Sequence, residues 1–147
     1  MAPAGTIILL TGAGGVFKQI LVDTGAGKLI AESLLDLGLP IIVFAFLASA
    51  MIRIAQGSAT VAMITGASLV APLLMGNDVV NTGQLAAITI AIAAGASILS
   101  HVNDSGFWLV KQYLGMTEKQ AFKSWTMMTT ILALCGFIGA SILFVLL

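Results

Sequence analysis

Apolar residues fill this chain in long stretches, and the few polar interruptions define its elements. Residues 5–22 (GTIILLTGAGGVFKQILV) are apolar but broken by Gly12, Gly14 and Gly15. In residues 24–36 (TGAGKLIAESLLD), Lys28, Glu32 and Asp36 recur at every fourth position. They share one helical face, which predicts an amphipathic connector lying at a membrane interface. Leu-Gly-Leu-Pro at 37–40 then opens a new helix, with Pro40 suited to its first turn. From Ile41 to Met75 the apolar character persists for 35 residues. That is too long for one crossing and too short for two, which need about 40 residues with their turn. Arg53 to Thr60 form a polar, small-residue break near the middle. The expectation is a re-entrant hairpin over 41–75, two half-length helices whose non-helical tip is shielded by protein or water. The alternative is one long helix kinked at the polar site.

Residues 76–83 (GNDVVNTG) read as an extramembrane loop. The next apolar stretch, 84–110, is broken by Ser100–Gly106 and predicts a discontinuous helix. Residues 111–123 (KQYLGMTEKQAFK) predict an interfacial connector, and 124–147 a clean final span with Trp125 as its interfacial anchor. Lys111, Lys119 and Lys123 place that connector on the cytoplasmic side and the end of the final span outside. Gly136 and Ala140, four apart, fit a helix-contact face, and Gly66, Ala67, Gly95 and Ala96 suggest an exposed small-residue face awaiting a partner helix.

Composition agrees with this pattern. Of 147 residues, 59% are hydrophobic and 8% charged, with mean hydropathy +1.11. The fold class expected is an all-α integral membrane protein, a single membrane domain over 1–147. Six basic and six acidic residues cancel, so no net charge draws the chain to nucleic acid. Cys135 is alone, which excludes a disulfide framework. Met1–Gly5 lacks a basic n-region, and the chain reads straight into a helix as if begun partway through a larger protein.

Candidate chemistry concentrates in the second break. His101, Asn103, Asp104 and Ser105 sit together inside an apolar run, where an aspartate facing lipid costs about 2.5–3.5 kcal/mol on insertion scales. They must face protein or water, and Gly106 beside them favours an unwound backbone with free N–H and C=O groups. Such broken helices build midplane sites in secondary transporters. Half-helix N-termini at both breaks would aim partial positive charge at one region, suiting an anionic substrate. The other motifs fail. Gly25-Ala-Gly27-Lys28 lacks phosphate-loop spacing. One histidine builds no zinc site, so neither metal nor cofactor is expected. Asn103-Asp104-Ser105 matches a glycosylation sequon only formally, inside an apolar run.

Ser97-Ile-Leu-Ser-His-Val-Asn-Asp-Ser-Gly-Phe-Trp108 closely resembles the signature of the gluconate:proton symporter (gluconate permease) family. Gly12-Ala-Gly-Gly-Val-Phe-Lys-Gln-Ile-Leu and Arg53-Ile-Ala-Gln-Gly-Ser-Ala-Thr-Val-Ala are similar to further blocks of it. The resemblance covers essentially the whole chain, and family members are longer, so the chain looks like a C-terminal portion of one. It implies the C-terminal repeat of an inverted-repeat, ion-coupled transporter, with the hairpin tip at Gln56–Thr60 and a discontinuous helix over 84–110. Relatives coupled to sodium often carry a Ser-Asn-Thr type tip, and Gly57-Ser58-Ala59-Thr60 departs from it, in keeping with protons.

The implied substrate is gluconate or a related sugar acid, or a D-serine-like hydroxylated acid, imported across a bacterial inner (plasma) membrane by a multi-pass protein. The implied roles give the carboxylate to the Gly57, Ser58 and Thr60 tip and the hydroxyls to Asn103 and Ser105. The coupled proton goes to Asp104, with His101 second. The implied partners are the lipid bilayer and either the missing N-terminal repeat or further copies of the chain. A truncated, non-transporting fragment is the alternative. An intramembrane hydrolase is the weaker one, because no nucleophile-elbow pattern accompanies His101.

Overall fold

A computed structural model of the chain describes residues 38–74 and 80–147, together with Val16, Ile20, Asp23 and Thr24. Apart from Val16, Ile20 and Thr24, the glycine-broken stretch at 5–22 and the connector at 24–36 lie outside the described residues, as do positions 76–79 of the 76–83 loop. Every described element is helical.

Helix α1 (Ile41–Gln56) starts directly after Pro40, whose fixed φ suits a helix entry, and ends at Gly57. Gly57 has φ +75°, the left-handed conformation that glycine reaches without a Cβ penalty, and its N–H bonds the Arg53 carbonyl at 2.8 Å. After Ser58 the chain reverses into α2 (Ala59–Leu74). The two helices pack as a hairpin, with Gly66 of α2 directly against Ser49 of α1. Each has 16 residues, so each spans about 24 Å. That falls short of a hydrocarbon core of about 30 Å.

Helix α3 (Thr82–Ser97) opens with a reciprocal cap between Asn81 and Gln84. Its last turn gives way to non-helical residues from Ile98 to Asp104, two positions earlier than the 100–106 expected, with Leu99 at φ +47°. Helix α4 (Ser105–Tyr113) follows, then a turn at Gly115, then the long α5 (Glu118–Leu146). Among the described helices, α5 is the one long and apolar enough to cross a membrane, and most of its apolar surface faces outward.

α1 and α3 advance in the same direction, Phe46 meeting Gly95 and Arg53 meeting Asp104. α5 runs back against α3. Asn81 Nδ2 donates to the Leu147 carbonyl at 2.6 Å at one end, and Thr126 Oγ1 to the Ser100 carbonyl at 2.5 Å at the other. Two apolar clusters fill the space between them. Ile42 and Phe46 pack on Ala87, Ala91, Ala94 and Ala140, and Phe46 stacks on Phe137 at 4.4 Å between ring centres. Ala45 and Val70 pack on Ile88 and Ile92.

Three expectations are corrected. Gly66, Gly95 and Ala96 do not form an exposed face with Ala67; they are buried inside this chain, while Ala67 alone of the four is exposed. The lack of a side chain at Gly66 and Gly95 lets α2 and α3 close onto α1 at Ser49 and Phe46, so these small residues already have their partner. The 111–123 segment is not a separate connector. Thr117 caps a helix that begins at Glu118, and Lys119, Lys123 and Ser124 are its exposed side. Trp125 is consequently no anchor at the start of a span. It lies in a π-helical turn, Phe122–Thr126, inside α5, with its indole turned inward.

Candidate functional site

The end of the hairpin's first helix and the break after α3 meet at a pair of buried opposite charges. Arg53 occupies the last turn of α1 and is 4% exposed; Asp104 is the residue before α4 and is 7% exposed. Arg53 Nη2 donates to Asp104 Oδ2, forming a salt bridge, and Nη1 donates to the Gly57 carbonyl. The guanidinium thus holds the hairpin turn and the broken helix at once. Among the described residues, Arg53 Nε is a buried side-chain donor with no hydrogen-bond partner.

Asp104 is held from several sides. Its Oδ1 accepts the Gly106 N–H at 2.9 Å, the capping bond that starts α4. Its Oδ2 also accepts the Ser100 hydroxyl. Ser100 Oγ in turn accepts the Trp125 indole N–H at 2.7 Å, and Ser100 N donates to Thr129 Oγ1 at 3.3 Å. The π turn in α5 is what brings Trp125 and Thr126 together onto Ser100, a use to which such turns are often put at functional sites. A continuous line of polar contacts therefore runs from Trp125 through Ser100 and Asp104 to Arg53 and Gly57. Hydrogen bonds with a charged member are about twice as strong as neutral ones. Removing one partner of a buried ion pair costs about 3–5 kcal/mol, because the other charge is left uncompensated.

The hairpin turn and the break also touch through their backbones. Gly57 lies so close to Asn103 that a Cβ there would come within 2.5 Å of the Asn103 carbonyl carbon. Asn103 Nδ2 donates to the Ile54 carbonyl at 2.8 Å. Gly57 is buried, and both its backbone N–H and its carbonyl are already engaged by Arg53. Ser58 Oγ accepts the Val61 N–H at 3.3 Å at the start of α2. Thr60, Asn103 and Ser105 are exposed around the meeting point.

His101 is half-buried, with Nδ1 2.8 Å from the Leu99 carbonyl. It meets Asp104 through the backbone, where Asp104 N donates to the His101 carbonyl at 2.8 Å, and the two side chains share no bond among the described residues. No cluster of three or more metal-ligating side chains occurs among the described residues. The cleft of about 430 Å³ on the far side of Trp125, lined by Val110, Tyr113, Leu114 and Met128, offers an apolar wall unsuited to a hydroxylated acid.

Sequence reading missed Arg53, Ser100 and Trp125 as members of the site. The signal for Arg53 was present, since it is the lone charge in residues 41–75 as Asp104 is in 84–110. An ionisable residue within a membrane segment calls for a partner, and these two were each other's.

A family model described as GntP family permease matches residues 1–147. The chain is similar to a low-affinity gluconate transporter of Escherichia coli (strain K12), 49% identical over 147 residues, all of this chain and 33% of that protein. It is also similar to a gluconate permease of Pseudomonas aeruginosa, 45% identical over 138 residues, 94% of this chain and 30% of that one. An inner membrane permease of Escherichia coli, YgbN, is 44% identical over 135 residues, 92% of this chain and 29% of that protein. The chain thus spans about a third of the length of the curated relatives it matches, at their C-terminal portion. No solved structure matches it.

Proposed function

We infer the use of this site from one premise: the chain belongs to the GntP permease family. The family is one of permeases and not of enzymes, so the intramembrane-hydrolase alternative falls. The chain is a bacterial inner-membrane protein.

Its proposed role is to supply part of a secondary transporter that imports gluconate or a similar small hydroxy-carboxylate with protons. The observation that carries this reading is the meeting of the two helix breaks around the buried Arg53–Asp104 pair. α1 and α2 act as a re-entrant hairpin, since neither is as long as a bilayer core is thick. The tip at Gly57, Ser58 and Thr60, with the first-turn amides of α2, faces the substrate carboxylate. Asn103 and Ser105 bond its hydroxyls. Asp104 carries the coupled proton, with His101 as the second candidate. The inverted repeat that would complete the site is supplied by a separate segment.

A second reading, a fragment that does not transport alone, is favoured by the third of the relatives' length that the chain covers. Reconstitution separates the two. Alone in vesicles with an imposed proton gradient, the chain is expected to take up no gluconate. Joined to the N-terminal two-thirds of the Escherichia coli low-affinity transporter, it is expected to take it up saturably. Saturable uptake by the chain alone, competed by unlabelled gluconate, would show instead that further copies complete the site. A joined protein that moves no hydroxy acid would overturn the transport reading.

A further inference from the structure

We propose that Arg53 binds the substrate carboxylate by exchanging it for Asp104, so that each carboxylate enters with one proton; this rests on the transport reading above. A guanidinium carries five N–H donors in a planar fork, and a carboxylate prefers two parallel bonds to one edge of it. Nε and Nη2 form such an edge. In this structure Asp104 takes Nη2 through one oxygen, its other oxygen being spent on the Gly106 N–H. Nε, on the same edge, is buried and unpartnered among the described residues. The edge is half used. A second carboxylate arriving at Nε and Nη2 completes the fork and displaces Asp104, while Nη1 stays on the Gly57 carbonyl and keeps the hairpin turn in place.

Charge then dictates the proton. The resting pair is neutral. Adding an anion to Arg53 leaves Asp104 buried without its cation, a state that costs several kcal/mol and is relieved by neutralisation. The ion pair to Nη2 breaks, an O–H bond forms on Asp104 with a proton from solvent, and the substrate carboxylate takes the vacated N–H donors. Nothing is oxidised or reduced, and the buried charge returns to zero. Among the described helices packed on the pair, α2 and α3 carry no charged residue and α1 carries only Arg53; besides Asp104, the one titratable residue of the break is His101, whose Nδ1 is on the Leu99 carbonyl. On α4 and α5 the charged groups Lys111, Glu118, Lys119 and Lys123 lie beyond Trp108 or on the outer face, Lys111 paired with Glu118.

The experiment is calorimetric titration of sodium gluconate into the joined protein in detergent, in buffers of different ionisation enthalpy, which counts protons taken up per ligand bound. One proton per gluconate is expected, and none for uncharged gluconamide. Asp104→Asn is expected to bind gluconate with no proton uptake. The double variant Arg53→Gln/Asp104→Asn keeps the pair neutral and foldable, and is expected to bind it about 100-fold more weakly than Asp104→Asn alone. Proton uptake persisting in Asp104→Asn would move coupling to His101 and overturn the exchange. Undiminished affinity in the double variant would place the carboxylate elsewhere and do the same. Absence of any gluconate binding by the unsubstituted joined protein would overturn the transport reading itself, a result distinct from both.

Discussion

Gly57→Ala measures how firmly the hairpin turn and the broken helix are pressed together. Two separate penalties apply at this position, and Gly115 supplies the means of dividing them. Both glycines have positive φ, +75° and +61°, so an alanine at either adopts a left-handed conformation costing about 1–2 kcal/mol. Around Gly115 nothing lies within 4 Å of an added Cβ, and the conformational penalty is the whole effect. At Gly57 the same atom meets the Asn103 carbonyl carbon at 2.5 Å and its side-chain Cγ at 2.8 Å. Asn103 has little room to retreat, because its amide is tied to the Ile54 carbonyl and the next residue is tied to Arg53. Overpacking of this kind adds about 1–3 kcal/mol. The assay is unfolding of the joined protein by increasing mole fraction of SDS in mixed micelles. Gly57→Ala should lose about 1–3 kcal/mol more than Gly115→Ala, and should weaken gluconate binding where Gly115→Ala does not. Equal losses would refute the close approach of the two breaks.

Three further outcomes follow from the same geometry. Gly95→Ala drives a Cβ into the Phe46 carbonyl and to 3.0 Å from Ser49 Cβ, so it should destabilise by about 1–3 kcal/mol in the same unfolding assay, whereas Gly139→Ala meets nothing within 4 Å and should be neutral or stabilising. Trp125→Phe keeps an aromatic ring but removes the 2.7 Å bond to Ser100, for a loss of about 0.5–1.5 kcal/mol; no loss would mean that the indole N–H is not a support of the Ser100–Asp104 contact. Cysteines placed at Leu39 and Val80 should react with an impermeant maleimide from one side of the membrane, and a cysteine at Thr60 should be shielded by gluconate; labelling of Leu39 and Val80 from opposite sides would rule out the hairpin topology.

Much of the helical layout was legible because its signals are local. Apolar runs of 16 or so residues, Pro40 ahead of α1 and glycine or Asx residues at the breaks are read one segment at a time. The polar run from Ser100 to Gly106 marked the broken helix because buried polar groups need partners wherever they fall. What could not be read was which segment supplied those partners. Gly66 and Gly95 carry the same small-residue signature whether they meet another chain or Ser49 and Phe46 of their own. Trp125 near a row of lysines has the composition of an interfacial anchor. Only the extra residue of the π turn, which no periodicity announces, rotates it onto Ser100. The start of α5 was misplaced by six residues for a related reason. Lys119 and Lys123 look like the end of a hydrophobic span until Thr117 is seen to cap a helix that carries them on its outer side.

The ion pair between α1 and the break after α3 also sets an order of events during synthesis. Arg53 leaves the ribosome 51 residues ahead of Asp104. At about 5–20 residues per second, the arginine exists for roughly 3–10 s before its counter-ion has been made. During that interval the hairpin holds an uncompensated cation in a segment otherwise apolar enough to enter lipid, and it settles only when the following segment arrives. Because Asp104 lies beyond the end of α3, α1 and α2 are expected to wait beside the insertion machinery, or at the bilayer surface, until α3 and the break after it have both emerged. Entry of the hairpin into the membrane is then expected as a late step, completed by a residue from the break between two later helices.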